Sequence, residues 1–386
     1  MNILSIETSC DETGVSLVKC SRDNEMYQFD VLGNNLVSQA DLHATFGGVF
    51  PSLAKREHAK TIIPLIEKTL RDAGIGDSKH KKVNLDSAKA FLEREPETAK
   101  ALERLIPYET NDIDAIAVTI GPGLAPALWV GVNTARALST LWDKLLIPTN
   151  HMHGHIFSSL FPSSEMFSFP ALTLLVSGGH TEIIKIERDL SIEILGSTRD
   201  DAIGEAFDKA ARQLDLGYPG GALVSKEAEK HRKAHPAHAS KLFPRPMIKD
   251  DSFDVSYSGL KTALLYYLRD NPIQNPDELS LIAREFEDAA LDVIVSKAEK
   301  ALRARSFSSL TIGGGVIANT ELRRQLTVLA SSLSLPLYIP EMSLTTDNSL
   351  MIAVAAFVAN QNEKTHAHTD LEQMEVQANM SSAQFY

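Results

Sequence analysis

The chain has 386 residues, 44% hydrophobic and 23% charged, enough for two domains with sizeable cores and too apolar for wholesale disorder. Lys and Arg number 38 against 50 Asp and Glu, a net charge of −12, which leaves any nucleic-acid binding to local basic segments. Two cysteines, Cys10 and Cys20, exclude a disulfide framework and a cysteine zinc module, while an acidic start and no long apolar run predict a cytoplasmic protein.

In chain order, NILSIETS reads as an apolar strand, CDET as a turn carrying Asp11 and Glu12, and GVSLVKC as the returning strand of a β-hairpin. His43 and His58 follow, with the helix pattern HAKTIIPLIEKTLRDAG. Residues 77–110 interrupt this lobe with charged helical sequence split by Pro96, a surface insertion of two short helices. DIDAIAVTIGPG is a strand, and GPGLAPALWVGVNTARAL is a glycine-rich turn into an apolar helix. That turn lacks GxxxxGK[ST] and is not a P-loop; it serves either tight packing or ligand binding through its amides.

The next block is NHMHGH, residues 150–155. On a helix His151 and His155 share one face and can bind one transition metal, whereas His153 points elsewhere. A third ligand has to come from a remote part of the chain. Met152 occupies the position where a zinc protease of the HExxH kind needs its glutamate, which disfavours a protease.

ALTLLVSGGHTEIIKI, residues 171–186, repeats the strand, small polar turn and strand of the N-terminus. Its Ser177, Gly178 and Gly179 expose backbone amides suited to a phosphate. TRDDAIGEAFDKAARQLDLGYPGG then sets acidic residues near a helix start, where the helix dipole alone favours them. Asp208, one turn further in, is placed to accept from a ribose, and Gly220 and Gly221 allow close backbone approach. Residues 226–249 carry seven Lys or Arg against two Glu, either a solvated loop or a local basic surface for nucleic acid. In TIGGGVIAN, three glycines suit approach to a flat base, and Asn319 is a helix cap or a ligand contact. Asp347 precedes a long apolar helix; it is an N-cap or the third metal ligand. The polar 363–386 reads as a loosely held tail with His366 and His368 facing solvent.

The hairpins, each followed by helix and strand patterns, predict two related α/β lobes with a ligand cleft between them. Lobe I spans 1–150 and regains a helix at about 348–362; lobe II spans 151–347.

Ten blocks in order, SIETSCDETG, HATFGGVFPSLAKREH, GPGL, NHMHGH, LLVSGGHT, DDAIGEAFDKAA, YPGG, SYSGLKTA, GGGVIAN and TDNSLMIA, resemble the tRNA adenosine threonylcarbamoyltransferase family, the bacterial TsaD-like proteins once labelled O-sialoglycoprotein endopeptidases. The resemblance covers nearly the whole chain outside 77–110 and the tail. It implies the duplicated fold of actin-like ATPases, sugar kinases and heat-shock ATPases (the ASKHA fold). It also implies transfer of threonylcarbamoyl from threonylcarbamoyl-AMP to adenosine 37 of tRNAs reading ANN codons. Carried over by motif, His151, His155 and Asp347 hold one metal ion, usually iron, with zinc as the alternative. Leu175, Val176, Ser177, Gly178, Gly179, Asp208, Gly221 and Asn319 contact the adenylate, and Asp11 and Glu12 are candidates for the general base. The partners implied are tRNA, a TsaB-like paralogue, a TsaE-like ATPase and a TsaC-like synthase that makes the adenylate. The chain departs from the family pattern at Ser52, Lys55, Ala222 and His153, none of them a metal or adenylate position. The competing reading is an ATPase, kinase or nucleotide-binding scaffold of the same fold, which has no need of the His151, His155 and Asp347 set.

Overall fold

The computed structural model describes residues 1–46, 48–76, 85–108, 110–239, 241–364 and 371–385. The chain divides into two compact units, Met1–Met166 with Asp347–Tyr386, and Phe167–Thr346. The NHMHGH segment and Asp347 therefore both belong to the first unit.

Six strands form the sheet of the first unit: β1 (Asn2–Glu7), β2 (Glu12–Asp23), β3 (Met26–Ser38), β4 (Ala115–Gly121), β5 (Leu145–Asn150) and β6 (Ser163–Glu165), ordered β5-β4-β1-β2-β3-β6. β1, β2 and β3 are an antiparallel meander, whereas β4 and β5 run parallel to β1. Every residue of β4 is buried, as a central parallel strand covered on both faces must be. Alternation along the hairpin sends Leu4, Ile6, Val15 and Leu17 into the core shared with helices α2 (Pro51–Asp72) and α5 (Ala125–Trp142), which follow the short α1 (Ala40–Ala44). The small residues Ser5 and Ser16 point the other way. Ser5 Oγ donates to the Ser349 carbonyl at 2.7 Å and Ser16 Oγ lies 2.5 Å from Ser349 Oγ, seating the start of the apolar helix Ser349–Gln361 against the hairpin.

The described part of the insertion holds two short helices as expected, α3 (Leu85–Ala90) and α4 (Pro96–Ala101). It is more than a surface addition, because Leu92, Leu102 and Leu105 are fully buried in the unit's core. Lys55 pairs with the buried carboxylate of Glu95 at 3.3 Å, and Asn133 Nδ2 donates to it at 3.1 Å. The departure at Lys55 thus answers a charge that the insertion itself brings in.

The expected loose tail is corrected for residues 371–385. Met374 and Met380 are buried, Gln377 N–H donates to Ile120 O at 2.8 Å, and Arg136 donates to the Leu371 carbonyl. Apolar anchors spaced through a polar segment are enough to hold it down. His366 and His368 lie outside the described residues.

The second unit repeats the scheme with β7 (Ala171–Val176), β8 (Thr181–Ile186), β9 (Ile192–Ser197), β10 (Ser309–Gly313) and β11 (Leu337–Tyr338). Its order, β11-β10-β7-β8-β9, matches β5-β4-β1-β2-β3 strand for strand, with the same parallel and antiparallel pairings. After α6 (His151–Phe157) in the first unit, the helices here are α7 (Ile203–Gln213), α8 (Gly220–Ala234), α9 (Ser258–Asp270), α10 (Pro276–Ala304) and α11 (Thr320–Ser332); the first unit's last helix, Ser349–Gln361, is α12.

The basic segment 226–249 is partly helical, and among the described residues four of its seven basic side chains are ion-paired. It includes most of α8, and Arg232 pairs with Glu287 at 2.9 Å and Asp288 at 2.6 Å, Lys230 with Glu227, Lys233 with Glu229, and Arg245 with Asp292. Among the described residues no helix is long and apolar enough to cross a membrane.

Candidate functional site

β5 ends at Asn150, whose side chain caps α6 by accepting from Met152 N–H at 2.9 Å. The cap fixes the first helical turn, so His151 and His155 stand one above the other, ring centroids 4.7 Å apart and nearly perpendicular. Asp347 completes the set: its Oδ1 lies 3.4 Å from His151 Nε2 and 3.2 Å from His155 Nε2. One ligand atom from each of the three falls within 4.8 Å of the others. Asp347 is available because it is not the N-cap. Asn348 takes that role, accepting from Met351 N–H at 2.9 Å.

Both ring nitrogens of His155 are buried and make no hydrogen bond. A buried polar atom without a partner is costly, and His155 Nε2, facing only Asp347 Oδ1 at 3.2 Å, is placed to take a ligand. Two imidazoles and a carboxylate are a donor set that fits a divalent transition ion.

Glu7, fully buried at the end of β1, backs the candidate set and was not singled out by the sequence. Its Oε2 accepts from His151 Nδ1 at 3.1 Å and from Thr119 Oγ1 at 2.6 Å, and its Oε1 from Ser9 N–H at 2.5 Å. A carboxylate on Nδ1 keeps that nitrogen protonated and turns Nε2 toward Asp347 and His155. The available signal was an acid closing an otherwise apolar strand. Burial works against a charged His151, yet the carboxylates of Asp347 and Glu7 bring its pKa well above the ordinary value. Burial likewise opposes the charge on Asp347, which the two histidines hold well below the usual carboxylate range.

His153 faces away from this group. Its Nε2–H donates to Ser382 O at 2.9 Å, Phe385 packs on its ring at 4.1 Å, and burial pushes its pKa down to about 4. The C-terminal segment therefore backs α6, and Asn150 Nδ2 adds bonds to the carbonyls of Ser381 and Gln384 at 2.9 Å.

In the first hairpin turn Asp11 is buried and Glu12 half-buried. Burial, with the charges of Asp347 and Asp11, pushes the Glu12 carboxyl up to about 9. His58 braces this turn, with Nε2–H donating to Cys10 O at 3.0 Å and Nδ1 lying 2.7 Å from Thr13 Oγ1. His43 is engaged by Gln39 and by Phe50 N–H. Both histidines orient backbone. GPGL is likewise a packing turn, because a Cβ on Gly123 would come within 2.7 Å of Ser9 O.

The residues expected to contact an adenylate are brought together on the second unit by close backbone approaches. Leu175 and Val176 end β7, and Ser177–Gly179 form the turn into β8. A Cβ on Gly204 at the start of α7 would lie 2.6 Å from Ser177 O, and one on Gly220 would lie 2.6 Å from Asp208 Cα. Asp208 accepts from Gly220 N–H at 2.8 Å, and Gly221 follows directly in α8. Cβ atoms on Gly178 and Gly179 would meet nothing within 4 Å, so packing does not require glycine there, whereas the Ser177 amide is committed to His180 O at 2.8 Å. The GGG turn does not keep space for a base at its middle residue: Gly314 lies hard against the Val176 backbone. Asn319 caps α11, accepting from Leu322 N–H at 2.8 Å.

A family model described as TsaD: tRNA N6-adenosine threonylcarbamoyltransferase matches residues 30–84 and 86–354. The chain belongs to this family. A tRNA N6-adenosine threonylcarbamoyltransferase of Staphylococcus haemolyticus is 38% identical over 356 residues, 92% of this chain and 90% of the relative. One from Staphylococcus aureus strain JH9 is 37% identical over 379 residues, 96% and 97% of the two chains. Among solved structures, full-length HypF in its phosphate- and nucleotide-bound form superposes with a TM-score of 0.53 at 12% identity, over 94% of this chain and 46% of that one. That likeness concerns fold alone. With the duplicated sheets it assigns the chain to the actin-like ATPase and sugar-kinase fold. Family membership favours an acyltransferase acting on tRNA over the ATPase, kinase or scaffold reading.

Proposed function

We propose that the protein transfers a threonylcarbamoyl group from threonylcarbamoyl-AMP to the exocyclic N6 amine of adenosine 37 in tRNAs reading ANN codons, releasing AMP. The observation that carries the site assignment is the His151, His155 and Asp347 group with its hydrogen-bond-free His155 ring. These three residues hold one divalent ion, iron by preference for a two-histidine, one-carboxylate set and zinc as the alternative. When bound, the ion supplies Lewis acidity toward donor oxygens.

The chain's own residues do the remaining work. The adenine amine is a weak nucleophile, its lone pair delocalised into the ring, so it needs an activated donor and a proton acceptor. Asp11 and Glu12 form the acid–base pair. One of the two accepts the amine proton, and burial with the charges of Asp347 and Asp11 makes Glu12 more basic than an ordinary carboxylate, pushed up to about 9. The Ser177–Gly179 turn holds the donor phosphate through the Gly178 and Gly179 amides, Asp208 accepts from the ribose, Gly221 admits the nucleotide backbone, Asn319 meets the adenine, and Leu175 and Val176 carry the turn. The protein works in the cytoplasm with a TsaB-like paralogue and a TsaE-like ATPase, supplied by a TsaC-like synthase.

The test is His155→Ala, followed by elemental analysis of bound metal, thermal melting, and mass spectrometry of tRNA nucleosides from cells lacking their own enzyme. Loss of both metal and modified nucleoside in a folded variant is expected. Full modification by the metal-free variant would overturn the assignment.

A further inference from the structure

A buried carboxylate that the reaction scheme does not use stands behind Asn319. Glu287, on α10, is 1% exposed, and its Oε1 accepts from Asn319 Nδ2 at 2.6 Å. The second Nδ2 hydrogen goes to Ser225 Oγ at 2.8 Å. Both amide hydrogens are thereby committed, and Oδ1, which already accepts from Leu322 N–H, is the one group with a lone pair to spare. A carboxylate accepts only, so it admits one orientation of the amide: nitrogen inward, oxygen toward the end of α11. Burial raises the Glu287 pKa, and Arg232, on the other carboxylate oxygen at 2.9 Å, opposes that shift and favours the accepting form.

We propose that Glu287 is a positioning residue that sets the nucleobase preference of this site, by making Asn319 present an acceptor and no donor. An acceptor matches the 6-amino group of adenine and opposes the 6-oxo group of hypoxanthine. This rests on the proposal that Asn319 meets the adenine of the donor. Discrimination of this kind is strong because the wrong base leaves lone pairs facing each other in a desolvated place.

Glu287→Gln tests the idea with little change of shape. Arg232 demands an oxygen, so the new amide turns its NH2 toward Asn319 Nδ2, and two donors face each other. Asn319 then either flips or loses its fixed orientation. AMP and IMP are titrated by calorimetry against the full chain, its Asn319→Ala, Glu287→Gln and Asp288→Asn variants, with a melting curve for each. Asp288 also binds Arg232, at 2.6 Å, and does not touch Asn319, so its variant controls for simple loosening of the ion-pair network. The expected result is a preference for AMP over IMP that drops about tenfold in Glu287→Gln and stays as in the parent in Asp288→Asn. Weakened AMP binding in Asn319→Ala with an unchanged AMP-to-IMP ratio in Glu287→Gln would overturn the inference and leave the assignment of Asn319 standing. An equal drop in Asp288→Asn would reduce Glu287 to a structural role. AMP affinity unmoved by Asn319→Ala would remove the assignment of Asn319, and the inference with it.

Discussion

Replacing Glu7 with Gln separates the support of the proposed metal centre from its proposed ligands. Three donors converge on the two oxygens of Glu7: Ser9 N–H, Thr119 Oγ1–H and His151 Nδ1–H. An amide has one oxygen to offer, and its NH2 must face at least one of those donors. With the oxygen kept on the Ser9 backbone, the NH2 meets Thr119 and His151 Nδ1. The hydroxyl can rotate; the imidazole can only move its proton to Nε2, which removes the lone pair aimed at the ion. Loss of such an outer partner costs about 10–100-fold in metal affinity, or roughly 1.4–2.7 kcal/mol. The assay is competition with a chromophoric chelator, using ferrous and zinc ions against parent and variant, with melting curves to show that both are folded. Affinity within twofold of the parent in a folded Glu7→Gln protein would refute the argument.

Deleting residues 371–386 should lower metal-free stability by several kcal/mol, because Met374 and Met380 leave the core and Asn150 and His153 lose their acceptors; an unchanged denaturant midpoint would contradict this. His153 gives a pH signature. Its folded pKa of about 4 lies below the ordinary 6.5, so the unfolded chain takes up the proton first and stability falls as pH drops from about 6.5 to 4, by about 3 kcal/mol in the metal-free protein. His153→Asn should flatten that part of the stability profile, and an unaltered slope would count against it. Lys55→Met leaves the Glu95 carboxylate buried with Asn133 as its remaining partner, a loss of about 1–3 kcal/mol, discounted because Lys55 itself is about a third exposed; urea unfolding of parent and variant measures it.

The duplicated hairpins were legible in the sequence because period-two apolar runs on either side of a small polar turn have few other solutions. The histidine pair was legible because four-residue spacing on a capped helix fixes which face each side chain takes. What escaped depends on partners far along the chain. Glu7 resembles any acid at a strand end until His151, 144 positions later, is seen on its carboxylate. Asp347 and Asn348 are both good caps, and sequence alone does not say which one the backbone uses. Arg232 and Arg245 of the basic segment read as unpaired because their carboxylate partners Glu287, Asp288 and Asp292 sit on a helix more than forty residues away. Composition measures polarity, and two methionines sufficed to anchor a segment that composition describes as loose.

The first unit is made of two stretches of chain, with the whole of the second unit inserted between them. On a ribosome, His151 and His155 emerge early and wait while about two hundred further residues are made before Asp347 and the strands of chain that brace α6 arrive. The uninterrupted second unit is free to fold in that interval. Nascent or prematurely terminated chains thus have the imidazoles without the carboxylate, and the proposed metal site is complete only in a chain translated past Asp347.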